Sequence, residues 1–177
     1  MNAQIAFIIV LSFIPNIYMK STFSILKSPT CDEINPNYFG NISLNLKNNK
    51  LSMDMDLLRT IHSGLRVNVF LFTRKLKSDD FQSFYQFSLD MCSMLDKQNS
   101  NILKKWFSTF MACGNFERRC PVQPKHYYIK DYLVHKLEIP SFLFPGFYRL
   151  KFNMIQSKCQ SKSKDFIIGC VVEVEIK

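Results

Sequence analysis

The stretch "IPSFLFPGFYRLKFNM", residues 139–154, joins an apolar turn to a segment with strict alternation. From Tyr148 onward, apolar and polar side chains alternate, which is typical of a β-strand with one buried face. Before it, Pro140, Pro145 and Gly146 favour a turn, yet Phe and Leu surround them. The strand predicts a sheet with one buried side. The turn needs a separate explanation, because turns usually face water.

Five other segments repeat this period of two. They are "NISLNLKN" from residue 41, "LSMDMDL" from 51, "LRVNVFLF" from 65, "YQFSLDMC" from 85 and "CVVEVEI" from 170. In each segment one face is apolar, and the polar residues fall on the other face. Six half-buried strands joined by polar turns predict one all-β domain, an antiparallel two-sheet sandwich or a barrel.

One segment departs from the alternation. Residues 99–115 place Trp106, Phe107 and Phe110 at spacings of three and four, which predicts one short amphipathic helix. Gly114 lies just past its expected end. A helix with this aromatic face has to cover an edge or an opening of the sheets.

The chain is unusually rich in aromatic side chains. The chain has 17 Phe residues, and aromatic residues make up 14% of its 177 residues. A solid, well-packed sandwich is one interpretation. The other is two sheets that part at one end and leave an apolar hollow that accepts an acyl chain.

For the second interpretation the inward strand positions line the hollow, and the helix and the turn form its rim. The predicted cavity residues are Val67, Val69, Leu71, Tyr85, Phe87, Leu89, Tyr148, Leu150 and Phe152. The predicted rim residues are Trp106, Phe107, Phe110, Phe142, Leu143 and Phe144.

The beginning of the chain indicates export. Residues 5–14 form an apolar run too short to span a bilayer but long enough for the core of a secretory leader. We expect a signal peptide over residues 1–22 and a single domain over 23–177. An uncleaved buried strand or anchor is the alternative. On the secretory route Asn41, in "NIS", is a glycosylation site.

Cysteine usage agrees with export. The six cysteines are an even number, which in an exported chain indicates disulfides with 15 alternative pairings. They are Cys31, Cys92, Cys113, Cys120, Cys159 and Cys170. The spacing contains no C-x2-C pair, so we expect no metal site.

The net charge of +9 comes from scattered basic residues rather than from one stripe. This pattern disfavours nucleic acid as a partner. It is compatible with transient contact with an anionic membrane or an acidic surface, and also with a plain solvated face.

Motifs for catalysis are absent from the sequence. His62, His126 and His135 have no nucleophile, zinc or phosphate-binding motif beside them. Asp54 and Asp56 alternate outward with nothing to mark them as a catalytic pair. We therefore expect neither an enzyme nor a cofactor.

Four motifs in order, with a fifth near the start, resemble a known family. "DMCSMLD", "RRCPV", "LEIPSFLFPGFYRLKF" and "IIGCVVEVEI", preceded by "CDE", resemble the ganglioside-activator branch of the ML lipid-recognition superfamily. The insect chemosensory protein B (CheB) group is more similar still. The resemblance covers roughly Cys31 to Lys177 and implies an immunoglobulin-like sandwich whose sheets part to hold lipid.

The resemblance also implies residue roles. Cys31 would pair with Cys170 and Cys92 with Cys120, whereas Cys113 and Cys159 have no clear counterparts. Phe142 would occupy the aromatic position of the turn at the mouth of the cup.

The function that we expect is a secreted carrier of a hydrophobic ligand, such as a fatty acid, cuticular hydrocarbon, pheromone or other lipid, possibly used in chemosensation. The alternative is a secreted protein that engages a receptor, or activates a lipid-acting enzyme, without carrying a ligand. The segment between Cys92 and Cys120 lacks the extra cysteines of the ganglioside activators, so the activator role transfers less directly.

Overall fold

The computed structural model describes residues 22–75, 77–95, 102–134, 139, 143–157 and 164–177, without the side chains of residues 102–106. Within these residues it contains nine strands: β1 (Phe23–Ile25), β2 (Thr30–Ile34), β3 (Phe39–Lys47), β4 (Lys50–Leu57), β5 (Leu65–Arg74), β6 (Phe81–Asp90), β7 (His126–Leu133), β8 (Gly146–Ser157) and β9 (Lys164–Ile176). Two short helices, α1 (Met91–Leu95) and α2 (Ile102–Met111), lie between β6 and β7.

The strands form two antiparallel sheets. The larger sheet has the order β1-β9-β8-β5-β6, and β2 also pairs with β9. The smaller sheet has the order β3-β4-β7. Its β3–β4 hairpin turns at Asn48 and Asn49, which both have positive φ, as a tight hairpin turn requires. The two sheets pack as a sandwich, which confirms the predicted all-β class.

One end of the sandwich, which we call the disulfide end, has a dense core shared by both sheets. Its buried residues are Tyr38, Phe39, Leu57, Ile61, Leu65, Tyr127, Ile167 and Ile168. Cys31 and Cys170 pack against this core and form one disulfide. The second disulfide joins Cys92 to Cys120. Both pairings that the family resemblance implied are confirmed.

The opposite end, which we call the aromatic end, has two further core clusters. One joins Leu71, Tyr148, Val174 and Ile176 on the larger sheet. The other joins Ile129, Tyr132 and Val134 of the smaller sheet and its border. Phe23 and Ile25 of β1 pack against both clusters, so the first strand connects the two layers here.

Some predicted boundaries were wrong. The alternation in "YQFSLDMC" predicted a strand to Cys92, but β6 ends at Asp90, whose carboxylate accepts a hydrogen bond from the Ser93 backbone N–H (2.8 Å) and caps α1. The described residues therefore contain two helices where one was predicted. The predicted leader, apart from Thr22, lies outside the described residues. No described helix is long and apolar enough to cross a membrane.

Gly114 lies just past the end of α2, as predicted. It follows α2, but its φ is not positive, so it does not act as a left-handed helix cap. Instead it forms a bridge with Ile129, and a Cβ at this position would collide with the backbone carbonyl of Tyr128. Glycine is needed here because two backbones approach closely.

Candidate functional site

The inward face of the larger sheet brings the predicted cavity residues together. Val67, Val69 and Leu71 of β5 pair in register with Leu89, Phe87 and Tyr85 of β6. On the other side of β5, the same three residues pair with Met154, Phe152 and Leu150 of β8. Because antiparallel partners share a face, these side chains form one apolar surface. Tyr148, the next inward residue of β8, completes the predicted set at the aromatic end.

Exposure varies across this surface. The inward residues of β5 are buried. On β8, Leu150, Phe152 and Met154 keep part of their surface accessible, although β5 and β9 flank that strand on both sides. A side chain in the middle of a sheet stays accessible only if the layer above leaves space. The inner face of β8 is therefore less completely covered than the inner face of β5.

Tyr85 was predicted to lie between the two sheets, and this prediction was wrong. It is 50% exposed, and its neighbour Phe84 is 42% exposed. β6 is the last strand of the larger sheet, and its pairing with β5 is irregular between Tyr85 and Ser83, so Phe84 is an extra residue in the ladder. Side chains of this edge strand lie beyond the cover of the three-stranded sheet. Phe87 is half-buried beside Tyr85, with ring centres 5.8 Å apart.

The apolar turn lies next to these edge aromatics. Phe144 is 67% exposed, whereas Leu143 packs against the core of the aromatic end. The Tyr148 hydroxyl donates a hydrogen bond to the Phe144 carbonyl (2.9 Å), and the Phe84 ring meets Tyr148 edge-on at 6.2 Å. Burial raises the pKa of Tyr148, which keeps this donor protonated. Phe142, the predicted rim residue, lies outside the described residues.

Helix α2 packs against the smaller sheet. The Phe110 ring packs edge-on against Tyr132 with centres 5.2 Å apart, and Phe107 is half-buried. The segment after the helix is hydrogen-bonded to β7, with Lys130 N–H donating to the Cys113 carbonyl (2.9 Å). Cys113 carries a free thiol. The side chain of Trp106 and the whole of Cys159 lie outside the described residues.

The structure adds a feature that sequence reasoning missed, a depression of about 450 Å³ on the outer face of the larger sheet. Its lining residues are Thr30, Asp32, Phe72, Phe81, Arg149, Lys151, Val171 and Glu173. Two cations and two carboxylates balance each other here. Arg149 donates two hydrogen bonds to Glu173 (2.7 and 3.0 Å), which lower the pKa of that carboxyl, and its guanidinium lies 4.1 Å from the Phe81 ring centre.

A second missed cluster lies on the outer face of the smaller sheet. His126 lies 2.8 Å from Asp56 through Nδ1 and 3.4 Å from Asp54 through Nε2. The hydrogen bond to Asp56 raises the pKa of His126. The alternation on β4 predicted that both carboxylates face outward. Strand β7 was not predicted from the sequence, so His126 had no expected neighbour. Among the described side chains, no group of three His, Cys, Asp or Glu residues has a metal-binding arrangement.

Asn41, the predicted glycosylation site, is exposed on β3, an edge strand of the smaller sheet. Ser43 of the sequon is exposed on the same strand. A glycan attached here would project into solvent without disturbing the core.

Comparison with known families gives one match. The model of a family described as a protein of unknown function (DUF1091) matches residues 67–150, from β5 into β8. The chain is similar to that family over this segment, which contains β6, both helices, the Cys92–Cys120 disulfide and the apolar turn. No curated protein matches the chain.

Proposed function

We propose that this protein is an exported carrier of a hydrophobic ligand that lies between the two sheets. The ligand class is a fatty acid, cuticular hydrocarbon, pheromone or other lipid. The role is binding rather than catalysis. The observation that carries the proposal is the partly accessible apolar face of β8, at Leu150, Phe152 and Met154.

This face suits an alkyl chain. Apolar side chains that border a space without polar groups exclude water, and each ligand methylene transferred there stabilises the complex by about 0.8 kcal/mol. The facing residues Leu44 and Met53 of the smaller sheet are also only half-buried. Selectivity would come from length and shape, since few polar groups face inward.

The likeness to the ML superfamily and its chemosensory protein B group supports the same function. Both disulfides that this likeness implied are present, and they are typical of proteins of oxidising compartments. Together with the exposed sequon at Asn41 and the apolar leader, they support export. The family match includes the turn that the likeness assigns to the mouth of a lipid cup.

The proposed entrance is the aromatic end. Phe144 is the exposed part of the turn there, and Phe107 and Phe110 approach from helix α2. Trp106 and Phe142 were assigned to the rim from the sequence alone, and the Trp106 side chain and Phe142 lie outside the described part of the chain. An incoming ligand or a membrane surface would meet these side chains first.

The test is a pair of substitutions at consecutive positions of β8. Leu150→Trp adds bulk on the inner face, and Lys151→Trp adds the same side chain on the outer face. Lipid extracted from the purified proteins is identified by mass spectrometry, and displacement of a fluorescent fatty acid gives the affinity. We expect Leu150→Trp to reduce loading at least about tenfold, equivalent to about 1.4 kcal/mol, while Lys151→Trp loads normally.

Stability measurements separate a hollow from a solid core. In a hollow, the added indole of Leu150→Trp is tolerated without loss of unfolding free energy. In a solid core, overpacking costs about 1 to 3 kcal/mol. A destabilised Leu150→Trp variant, together with no extractable lipid in the parent protein, would overturn the proposal.

The outer-face depression favours a second candidate, an exported protein that engages a receptor or a lipid-acting enzyme without carrying ligand. Its mixture of charges and aromatic rings resembles the polar, aromatic make-up of protein interfaces. In that case Lys151→Trp would be the variant with impaired activity on cells or enzyme, and Leu150→Trp would affect only stability.

A further inference from the structure

We infer that the depression on the outer face of the larger sheet binds a small organic anion, a carboxylate or phosphate monoester with an apolar body, through Lys151. The volume of the depression, about 450 Å³, is within the range of small-molecule sites. The depression and the proposed lipid site lie on opposite faces of the sheet, so this inference does not depend on lipid binding.

Lys151 is a half-buried cation without a counterion. Three Lys and Arg side chains in the described part of the chain are half-buried, namely Arg74, Arg149 and Lys151. Arg74 pairs with Asp79 at 3.5 Å, and Arg149 pairs with Glu173 at 2.7 Å. Lys151 has no hydrogen-bond or ion-pair partner among the described residues. A partly buried charge loses hydration, which a partner of opposite charge usually compensates. An anion in the depression would supply that partner.

Arg149 places a second cation beside Lys151. The two residues are two positions apart on β8 and share its outer face, about 7 Å from each other along the strand. The Nε and Nη2 groups of Arg149 both donate to Glu173, so Nη1 keeps its hydrogen-bonding capacity within the described residues. A carboxylate or phosphate that reaches both Nη1 and the Lys151 ammonium would accept charge-assisted hydrogen bonds from both.

The surface beside these cations is apolar. Val171 of β9 pairs with Lys151 and lines the depression next to it. Phe72 and Phe81 line the side formed by β5 and β6, and both rings are half-buried. Burying their remaining surface would stabilise a complex with a ligand that has an apolar body. The site therefore suits an organic anion better than inorganic phosphate.

Asp32 limits the total charge of the ligand. It lines the same depression from β2, it is exposed, and no described residue pairs with it. A polyanion that extends across the sheet toward β2 would be repelled by this carboxylate, whereas a compact anion at Lys151 would avoid it. The net charge of +9 favours the approach of any anion, so selectivity depends on the depression itself.

Titration of the full, folded protein with phenyl phosphate, followed by NMR chemical shifts, tests the inference. We expect Lys151→Gln to weaken binding at least about tenfold, because it removes the charge with little change in bulk, and Lys151→Arg to retain binding. Lys47→Gln, on an exposed position of β3, is the matched control and should bind normally. Benzyl alcohol lacks the anion and inorganic phosphate lacks the apolar body, so each should bind at least about tenfold more weakly than phenyl phosphate.

Two further measurements locate the site. Phenyl phosphate should not displace a fluorescent fatty acid, because the two ligands occupy opposite faces of the sheet. It should raise the denaturant midpoint of the parent protein but not that of Lys151→Gln.

Three results would overturn the inference. The first is a parent protein that does not bind phenyl phosphate. The second is equal binding by Lys151→Gln and the parent, or an equal loss in Lys47→Gln, since either would indicate general attraction to a basic protein. The third is displacement of the fatty acid, which would place the anion between the sheets.

Discussion

The two ends of the sandwich differ in how their apolar residues are used. At the disulfide end, both sheets contribute to one core, and Tyr127 and Ile167 have no accessible surface. At the aromatic end, Phe84, Tyr85 and Phe144 are exposed, and the inner face of β8 stays partly accessible. The disulfide end is therefore a densely packed, crosslinked core, whereas the aromatic end also has apolar side chains that neither sheet covers. We therefore expect the first end to contribute more to stability, and the binding that we propose involves the second.

The largest expected effect comes from the disulfide end. Cys31–Cys170 closes a loop of 139 residues and Cys92–Cys120 one of 28. In the chain-entropy model, replacing the first pair by Ser costs about 4 to 5 kcal/mol and replacing the second about 3.5 kcal/mol. Denaturant unfolding of the two double variants measures both. Equal losses, or the reverse order, would mean that loop length does not set their contributions.

A smaller contrast compares one apolar residue from each region. Ile167→Ala removes a fully buried side chain and should lower the unfolding free energy by about 2 to 5 kcal/mol. Leu150→Ala removes a side chain that is only partly buried, so we expect roughly 1 to 2 kcal/mol. The same unfolding experiment compares them. Equal costs would show that the two regions are packed alike.

The exposed aromatic residues should contribute little to stability. Tyr85→Ser and Phe144→Ser are each expected to change the unfolding free energy by no more than about 0.5 kcal/mol. Both should reduce the binding of an environment-sensitive hydrophobic dye, because each belongs to a group of neighbouring exposed aromatic side chains rather than being an isolated apolar residue. Leu58→Ser is the control at the disulfide end, since Leu58 is 52% exposed there. It should leave dye binding unchanged, and a drop equal to that of Phe144→Ser would contradict the comparison.

The smallest effect concerns pH on the outer face of the smaller sheet. The folded-state pKa of His126 lies above its ordinary value of 6.5, chiefly because of its hydrogen bond to Asp56. The protonated form is therefore favoured by folding, so its contribution to stability is complete below pH 6.5 and is lost as pH rises through the folded pKa.

His126→Asn should remove this dependence, which unfolding curves at a series of pH values measure against the parent protein. His62→Asn serves as the control for a histidine on the surface. A parent protein whose stability relative to His126→Asn does not fall as pH rises would contradict the assignment.

Local periodicity was enough to predict most of the strands and their inward faces. The segments at residues 41, 51, 65 and 170 are strands with the expected apolar side buried or half-buried. It failed at β7, where Asp131 has a φ of 52° and the register with β4 shifts between Leu51 and Met53. That irregularity interrupts the alternation of "HYYIKDYL", so the strand and its His126 cluster were missed.

Features that depend on which distant strands become neighbours were beyond local pattern. The outer depression forms because β2 lies along β9 and Phe81 stacks on Arg149. Neither contact produces a periodic pattern in the sequence. Tyr85 shows the reverse case. Its alternation correctly gave its face, but only the strand order reveals that β6 is an edge and that this face is uncovered there.

The contact at Gly114 attaches helix α2 and the apolar turn to different sheets. Because residues 113–115 are hydrogen-bonded along β7, helix α2 is fixed to the three-stranded layer, whereas Phe144 is attached to the six-stranded layer through Tyr148. Any sliding of one layer over the other would therefore widen or narrow the gap between the helix and the turn. In the proposed carrier, the width of the entrance would then change through a shear between the two sheets rather than through the movement of a loop.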